Sequence, residues 1–411
     1  MSLLSRITAP TAGHDVARLV ATLLTHHPGV HRSAPKDLPG TVLDPVGARL
    51  PTGPTGLGTA AARVTARKPA GGGISAVPAV GSASGDPAES GTSGVPELYC
   101  PPALRDDPAL GREVNDRLAA WAGEVGLYAG RLDRVQAADF GRLMMLAHPD
   151  TDDPDRLLAA AKCALAEWAT DDYYCDDETM GSRPELLGSH LGLAYPVVDP
   201  AHLPARYVAA WEREVSADPV RVALRSGLEH LSRYAEPSQM ARLRHEVAVL
   251  FVGYGQEGSW RSRGHMPGVH EYLAHRQMNS FLPCVALTDV VGGYALTATE
   301  YADPRVRRAV TMAATAATLV NDLYSMAKEH DSSGVEFNLP TVIAEEERCS
   351  PREAIERSAE IHDELVRAFE AEAAALVLTG SLPLRRFLAG VWAWLGGNRE
   401  WHAGSPRYNG A

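Results

Sequence analysis

The sequence predicts an all-α fold. Three observations carry that expectation. Apolar residues recur at helical spacing along most of the chain after residue 95, as in Leu157, Leu158, Ala161, Leu165 and Trp168. Asp-Pro pairs at 107–108, 153–154 and 303–304 place a capping acid and a first-turn proline at the start of apolar runs. Alternating patterns that would mark strands are short and few.

Taken in order, residues 1–95 read as a disordered Pro/Gly/Ala-rich leader. No Phe, Trp or Tyr occurs before Tyr99, so the segment lacks the side chains to offset its ordering entropy. Within it, His14 to His27 has amphipathic helical spacing through Val16, Leu19, Val20, Leu23 and Leu24. Composition changes at Glu97-Leu98-Tyr99-Cys100-Pro101-Pro102, where a single helical domain over 96–411 is expected to begin. Helices are then predicted from Asp107 through Tyr128, over 135–147, and from Asp153 into Asp171. Further helices are expected over 204–215, 220–234, 237–254 and 269–280. Pro283 breaks the next apolar stretch, and a long helix runs from Asp303 to Glu329. Two or three more follow, over 351–378 and from Leu384 to about Trp401. The total expected is roughly ten to twelve helices, with no sheet.

The chain has 411 residues, 45 % of them hydrophobic, which is ample for a sizeable core. Its net charge of −12 argues against nucleic-acid binding and against a polybasic membrane surface. No stretch of 18 uncharged apolar residues is present, so no membrane insertion is expected. Five scattered cysteines without CxxC spacing, and no signal-peptide pattern, predict reduced thiols and a cytoplasmic protein.

The chemistry concentrates in two places. Asn321, Ser325 and Glu329 are spaced four apart, so an amide, a hydroxyl and a carboxylate fall on one helical stripe. Such an all-oxygen set suits a hard divalent cation, and Mg²⁺ commonly completes its shell with water and substrate phosphates. The residues before it, 310–320, are mostly small and apolar, which marks the helix as buried and its polar groups as needing partners. Lys328 adds a positive donor beside the stripe. The second place is Asp171-Asp172-Tyr173-Tyr174-Cys175-Asp176-Asp177, which ends an apolar, aromatic run. The bland reading of such a cluster is a solvated helix end, and Asp106-Asp107 and Asp152-Asp153 read that way because each precedes a proline. In a regular α-helix Asp176 would stand about 140° round from Asp171.

Together the two motifs resemble class I terpene synthases. The second motif of that family is matched in full by Asn321, Asp322, Ser325 and Glu329, whereas the aspartate-rich motif is a variant whose third acid, Asp176, comes one place late. The resemblance implies three Mg²⁺ ions held by Asp171, Asp172, Asp176, Asn321, Ser325 and Glu329, with Asp171 leading on its side. It also implies a prenyl diphosphate substrate contacted by Arg276, Lys328, Arg407 and Tyr408. Trp168 and Trp401 occupy pocket-wall positions in similar enzymes, with core packing as the equal alternative; Trp260, Trp392 and Tyr173 are lesser candidates. Within the family, the leader, the Glu97–Pro102 stretch and the acidic run look most like enzymes that cyclise 2-methylgeranyl diphosphate to a bicyclic alcohol. Cyclases of geranyl or farnesyl diphosphate, or a methylated-olefin synthase such as one making 2-methylenebornane, stand as alternatives. From another class, a catalytically silent helical protein is the rival. Enzymes of this kind are often dimers, which leaves a homodimer open.

Overall fold

A computed structural model describes residues 95–176, 182–329 and 337–405, with the side chains of 176 and 327–329 excepted. The leader before 95, including His14 to His27, lies outside the described residues, as do Arg407 and Tyr408. The regular elements among the described residues are all helical, with no strand among them. No helix among them is long and apolar enough to cross a membrane. All five cysteines are free thiols.

In chain order the helices are α1 (Pro108–Glu124), α2 (Leu132–Ala138), α3 (Phe140–Ala147) and α4 (Pro154–Asp171). A single π-helical turn, Asp172–Asp176, continues α4. There follow α5 (Leu187–Val198), α6 (Ala205–Ser216), α7 (Pro219–Leu231), α8 (Pro237–Arg263) and α9 (Val269–His275). Three short helices come next, α10 (Leu282–Val285), α11 (Thr288–Val291) and α12 (Ala298–Ala302). The chain closes with α13 (Pro304–Glu329), α14 (Leu339–Glu347), α15 (Pro351–Thr379) and α16 (Leu382–Gly404).

The starts are built as expected. Asp107, Asp153 and Asp218 each precede a first-turn proline and accept hydrogen bonds from the backbone N–H groups two and three residues on. Asp303 does the same for Arg305 and Val306. Asp107 and Asp153 are therefore caps. Where the structure departs from the sequence reading, local causes are visible. The helix expected over 135–147 is two, because Asp139 adopts a left-handed φ of 52° and caps α3 through Arg142 N. The 237–254 helix runs on to Arg263, stopping where Gly264 supplies a φ of 58°. The 269–280 helix ends early at His275. Helices α5 and α14 escaped the reading: α5 contains Pro196, and α14 is only nine residues long.

One continuous core joins α1 to α5, α7 and α8 with α10 to α13, α15 and α16. A second cluster, built from Trp260, Tyr272, Leu319, Phe337, Leu339, Val342, Ile343 and Ala354, packs α9 and α14 beside the middle of α13. The stretch before α1 straps across the last two long helices. Tyr99 donates from its backbone N to Asp363 Oδ1 (2.8 Å) and from its hydroxyl to Glu370 Oε2 (2.6 Å), with the Arg367 guanidinium 4.4 Å over its ring. A side chain at Gly396 would stand 2.6 Å from the Pro102 carbonyl, and one at Gly397 would stand 2.6 Å from the backbone of Leu146. This glycine pair lets α16 pass between the strap and α3.

Candidate active site

The site forms where the end of α4, the second half of α13 and the end of α16 meet. Trp168 on α4 lies 6.2 Å from Trp401 on α16, centroid to centroid. Phe140, the first residue of α3, stands 4.9 Å from Trp168 and 5.7 Å from Trp401. Phe281 joins from the break before α10, 5.5 Å from Trp168 and 5.2 Å from Trp394. Trp401 is held by hydrogen bonds from its indole N–H to the carbonyls of Ala138 and Asp139, both at 3.0 Å. The left-handed turn at Asp139 thus exposes a carbonyl that fixes one ring of this aromatic cluster. A cluster of ring faces of this kind attracts a cation without offering it a nucleophile. Trp168 and Trp401 come together, Trp401 within the main core and Trp168 packed against it. Phe140, Phe281 and Trp394 carried no motif, although Phe281 sits two residues before the helix-breaking Pro283. Trp260, Trp392 and Tyr173 lie elsewhere: Trp260 packs on His275 in the second core, Trp392 on Phe369, and Tyr173 on Tyr128.

On α13 the motif divides by face. Asn321 and Ser325 are half-buried, and the Ser325 hydroxyl donates back to the Asn321 carbonyl at 2.6 Å, so its lone pairs are directed outward. Asp322, 1 % exposed, turns inward. It accepts from Arg276 Nη2 (2.5 Å), Tyr272 OH (2.8 Å) and the backbone N of Leu339 (3.0 Å). Arg276 Nε donates in turn to Tyr272 OH at 2.8 Å. Burial alone would lower the pKa of Arg276, but the charges of Asp322 and Glu257 and the hydrogen bond to Asp322 outweigh it and hold the value well above the ordinary arginine range. Asp322 is therefore the anchor of an arginine that stands beside the oxygen stripe.

Glu257, two turns before the end of α8, ties this wall to the other one. It accepts from Arg261 Nη2 (2.7 Å) and Asn279 Nδ2 (3.0 Å) and lies 3.4 Å from His275 Nε2. Burial opposes its charge, yet the nearby His275 ring and the charges of Arg261 and Arg276 bring its pKa down to about 2. Arg261 also donates to the Cys175 carbonyl at 2.7 Å, gripping the π-helical turn. Sequence reading missed Glu257 and Arg261, although their i, i+4 spacing on one helix is the pattern of an ion pair.

The acidic run folds differently from a plain helix end. A π turn closes i to i+5, so it brings the backbone at Asp176 nearer to the stripe of Asp171 than a regular helix would. The late third acid of the variant motif and the widened turn are the same feature. The turn is pinned at each step: Asp172 Oδ2 accepts from Tyr128 OH (2.7 Å), Tyr173 OH accepts from Tyr128 N (2.8 Å), and Tyr174 OH donates to Asp218 Oδ2 (2.8 Å). The side chains of Asp176, Lys328 and Glu329 lie outside the described residues, so these three are placed by backbone alone. No group of three His, Cys, Asp or Glu side chains converges among those that are described.

The match to known proteins agrees with this architecture. Residues 162–368 match terpene synthase family 2, C-terminal metal binding. The chain belongs to the terpene synthase family, and its described part has the class I terpene cyclase fold. Within the family it is similar to the 2-methylisoborneol synthase of Streptomyces lasalocidi, with 46 % identity over 362 residues, 87 % of this chain and 74 % of that one. The 2-methylisoborneol synthase of Streptomyces coelicolor is 44 % identical over 311 residues, 75 % of this chain and 70 % of that one. A crystal structure of the Streptomyces coelicolor enzyme with Mg²⁺ and geranyl-S-thiolodiphosphate aligns with a TM-score of 0.71 at 43 % identity, covering 76 % of this chain and 97 % of that one.

Proposed function

We propose that the protein converts 2-methylgeranyl diphosphate and water to 2-methylisoborneol and diphosphate. The observation that carries the reading is the two-faced α13 motif: Asn321 and Ser325 present oxygen on one side, and Asp322 clamps Arg276 from the other. An amide and a hydroxyl are hard donors that fit Mg²⁺, with Glu329 completing the stripe and Asp171 leading the opposite wall. The relatives at 46 % and 44 % identity support the substrate and product, and the Mg²⁺ complex of one of them supports the ion. Bound Mg²⁺, three ions in this reading, supplies Lewis-acid neutralisation of the diphosphate, which favours allylic C–O cleavage.

The residues of the chain do the rest. Arg276, kept charged and preoriented by Asp322 and Tyr272, hydrogen-bonds the departing diphosphate together with Lys328, Arg407 and Tyr408. Phe140, Trp168, Phe281 and Trp401 turn ring faces to the organic cation and exclude bulk water while it cyclises. One retained water then adds its oxygen to the final tertiary cation, and diphosphate takes the released proton.

The test is product analysis by gas chromatography–mass spectrometry. Purified enzyme with Mg²⁺ is offered 2-methylgeranyl, geranyl and farnesyl diphosphates in ¹⁸O-water. The expected result is 2-methylisoborneol carrying ¹⁸O from the first substrate. Turnover of geranyl or farnesyl diphosphate alone would discard the C11 assignment, an unlabelled olefin would discard water capture, and no diphosphate release would return the silent-protein reading.

A further inference from the structure

Among the residues around the stripe, His402 has no part in the scheme above. It is fully buried near the end of α16, with its ring 4.6 Å from Trp401, 5.8 Å from Tyr324 and 6.2 Å from Phe281. Its Nδ1 lies 2.9 Å from the carbonyl oxygen of Asn398, one helical turn back. A carbonyl can only accept, so Nδ1 carries the proton of that bond. In a neutral imidazole the other nitrogen is then an acceptor. That nitrogen, Nε2, lies 3.3 Å from Asn321 Nδ2.

We infer that His402 is a positioning residue for the metal site, one that selects which end of the Asn321 amide faces the ion. The inference rests on Asn321 being a metal ligand, as proposed above. The two ends of an asparagine amide are nearly the same size, and only the oxygen binds a hard cation. An acceptor on the protein side satisfies the NH₂ group and directs Oδ1 the other way. Asn398 fixes the tautomer of the histidine, and the histidine in turn fixes the amide. Asn398 is itself held at 0 % exposure by donating from Nδ2 to the Ala317 carbonyl (3.0 Å), one turn before Asn321 on α13. The relay therefore begins and ends on the same helix, passing through α16. Partners of this sort around metal ligands change affinity by about 10- to 100-fold when removed.

The experiment measures Mn²⁺ affinity of the full chain by electron paramagnetic resonance in the presence of inorganic pyrophosphate. Five proteins are compared: wild type, N321A, H402F, N321D and the double variant N321D/H402F. Phenylalanine keeps the ring and removes the acceptor. The expected result is a loss of about tenfold for H402F in the wild-type background and none for the same change in the N321D background. A carboxylate has two equivalent oxygens, so it needs no selection. Equal losses in both backgrounds would assign His402 to packing and overturn the inference. Wild-type affinity in H402F alongside weakened N321A would overturn the orientation role but keep Asn321 as a ligand. Unchanged affinity in N321A would instead overturn the ligand reading, and this inference with it. Should H402F not fold, H402Q and H402M give the same contrast, with affinity retained only by the variant that keeps an acceptor.

Discussion

The two walls of the site solve one problem in opposite ways. Both hold several anionic or polar oxygens close together. On the α13 wall the motif is spread along a regular helix, and its members are separated by face. Asp322 goes into the core with Arg276, while Asn321 and Ser325 stay at the rim. On the α4 wall the acids are crowded into consecutive positions, and the helix itself is altered into a π turn held by Tyr128, Asp218 and Arg261. The first wall is stabilised by buried charge pairing and the second by neutral and single charge-assisted hydrogen bonds. The walls should therefore fail differently.

The sharpest way to break the comparison is to remove the inward acid. Asp322→Ala leaves Arg276 buried without its carboxylate, and denaturant unfolding should report a loss of about 3–5 kcal/mol. A loss below about 1 kcal/mol would mean that the α13 wall does not depend on that pair.

A second test uses a carboxyl behind the α4 wall. Glu167 is 7 % exposed, next to Trp168, and Cys284 Sγ donates to its Oε2 at 3.5 Å. Burial pushes its pKa up from 4.5 to about 8, against a small lowering by Cys284. Both folded and unfolded chains are protonated here below the ordinary value, so the stabilisation is full at low pH. As pH rises from 4.5 towards 8, only the unfolded chain releases its proton, and stability falls by about 1.4 kcal/mol per pH unit. Glu167→Gln should remove that slope, giving a variant that gains on wild type by about 3 kcal/mol between about pH 5 and pH 7. Parallel pH–stability curves for the two proteins would refute it. Glu257, held ionised at about 2, should show no such slope in this range.

The smallest expected effect tests the pins of the π turn. Tyr128→Phe deletes one hydroxyl that donates to Asp172 and should cost about 1 kcal/mol in thermal or denaturant unfolding. A loss as large as that of Asp322→Ala would erase the distinction between the walls.

Much of this was legible beforehand, for identifiable reasons. Helical periodicity and Asp-Pro starts repeat, so α1, α4, α13 and α15 could be read from local rules. The Asn321 stripe is contained within nine residues of one helix, which makes its geometry a matter of helical pitch. Arg276 could be reached only through family resemblance, because its partner Asp322 is 46 residues away. Phe140, Phe281 and His402 were not legible at all. Their roles depend on which helices meet, and a lone aromatic or histidine in an apolar run looks the same whether it fills a core or faces a cavity. The π turn was hidden for another reason. Periodicity assumes one constant pitch, and this turn is where the pitch changes.

That turn says something about how such motifs tolerate change. Adding a residue inside an ordinary helix rotates all that follows by about 100°, which would scatter a ligand set around the cylinder. Here the surplus residue is absorbed within Asp172–Asp176, like a slip joint that takes up slack without moving the pipe beyond it. The motif is kept in phase rather than in spelling. A search that counts letters between aspartates finds a variant spelling in this chain, whereas one that counts turns finds the backbone of Asp176 close to the stripe of Asp171.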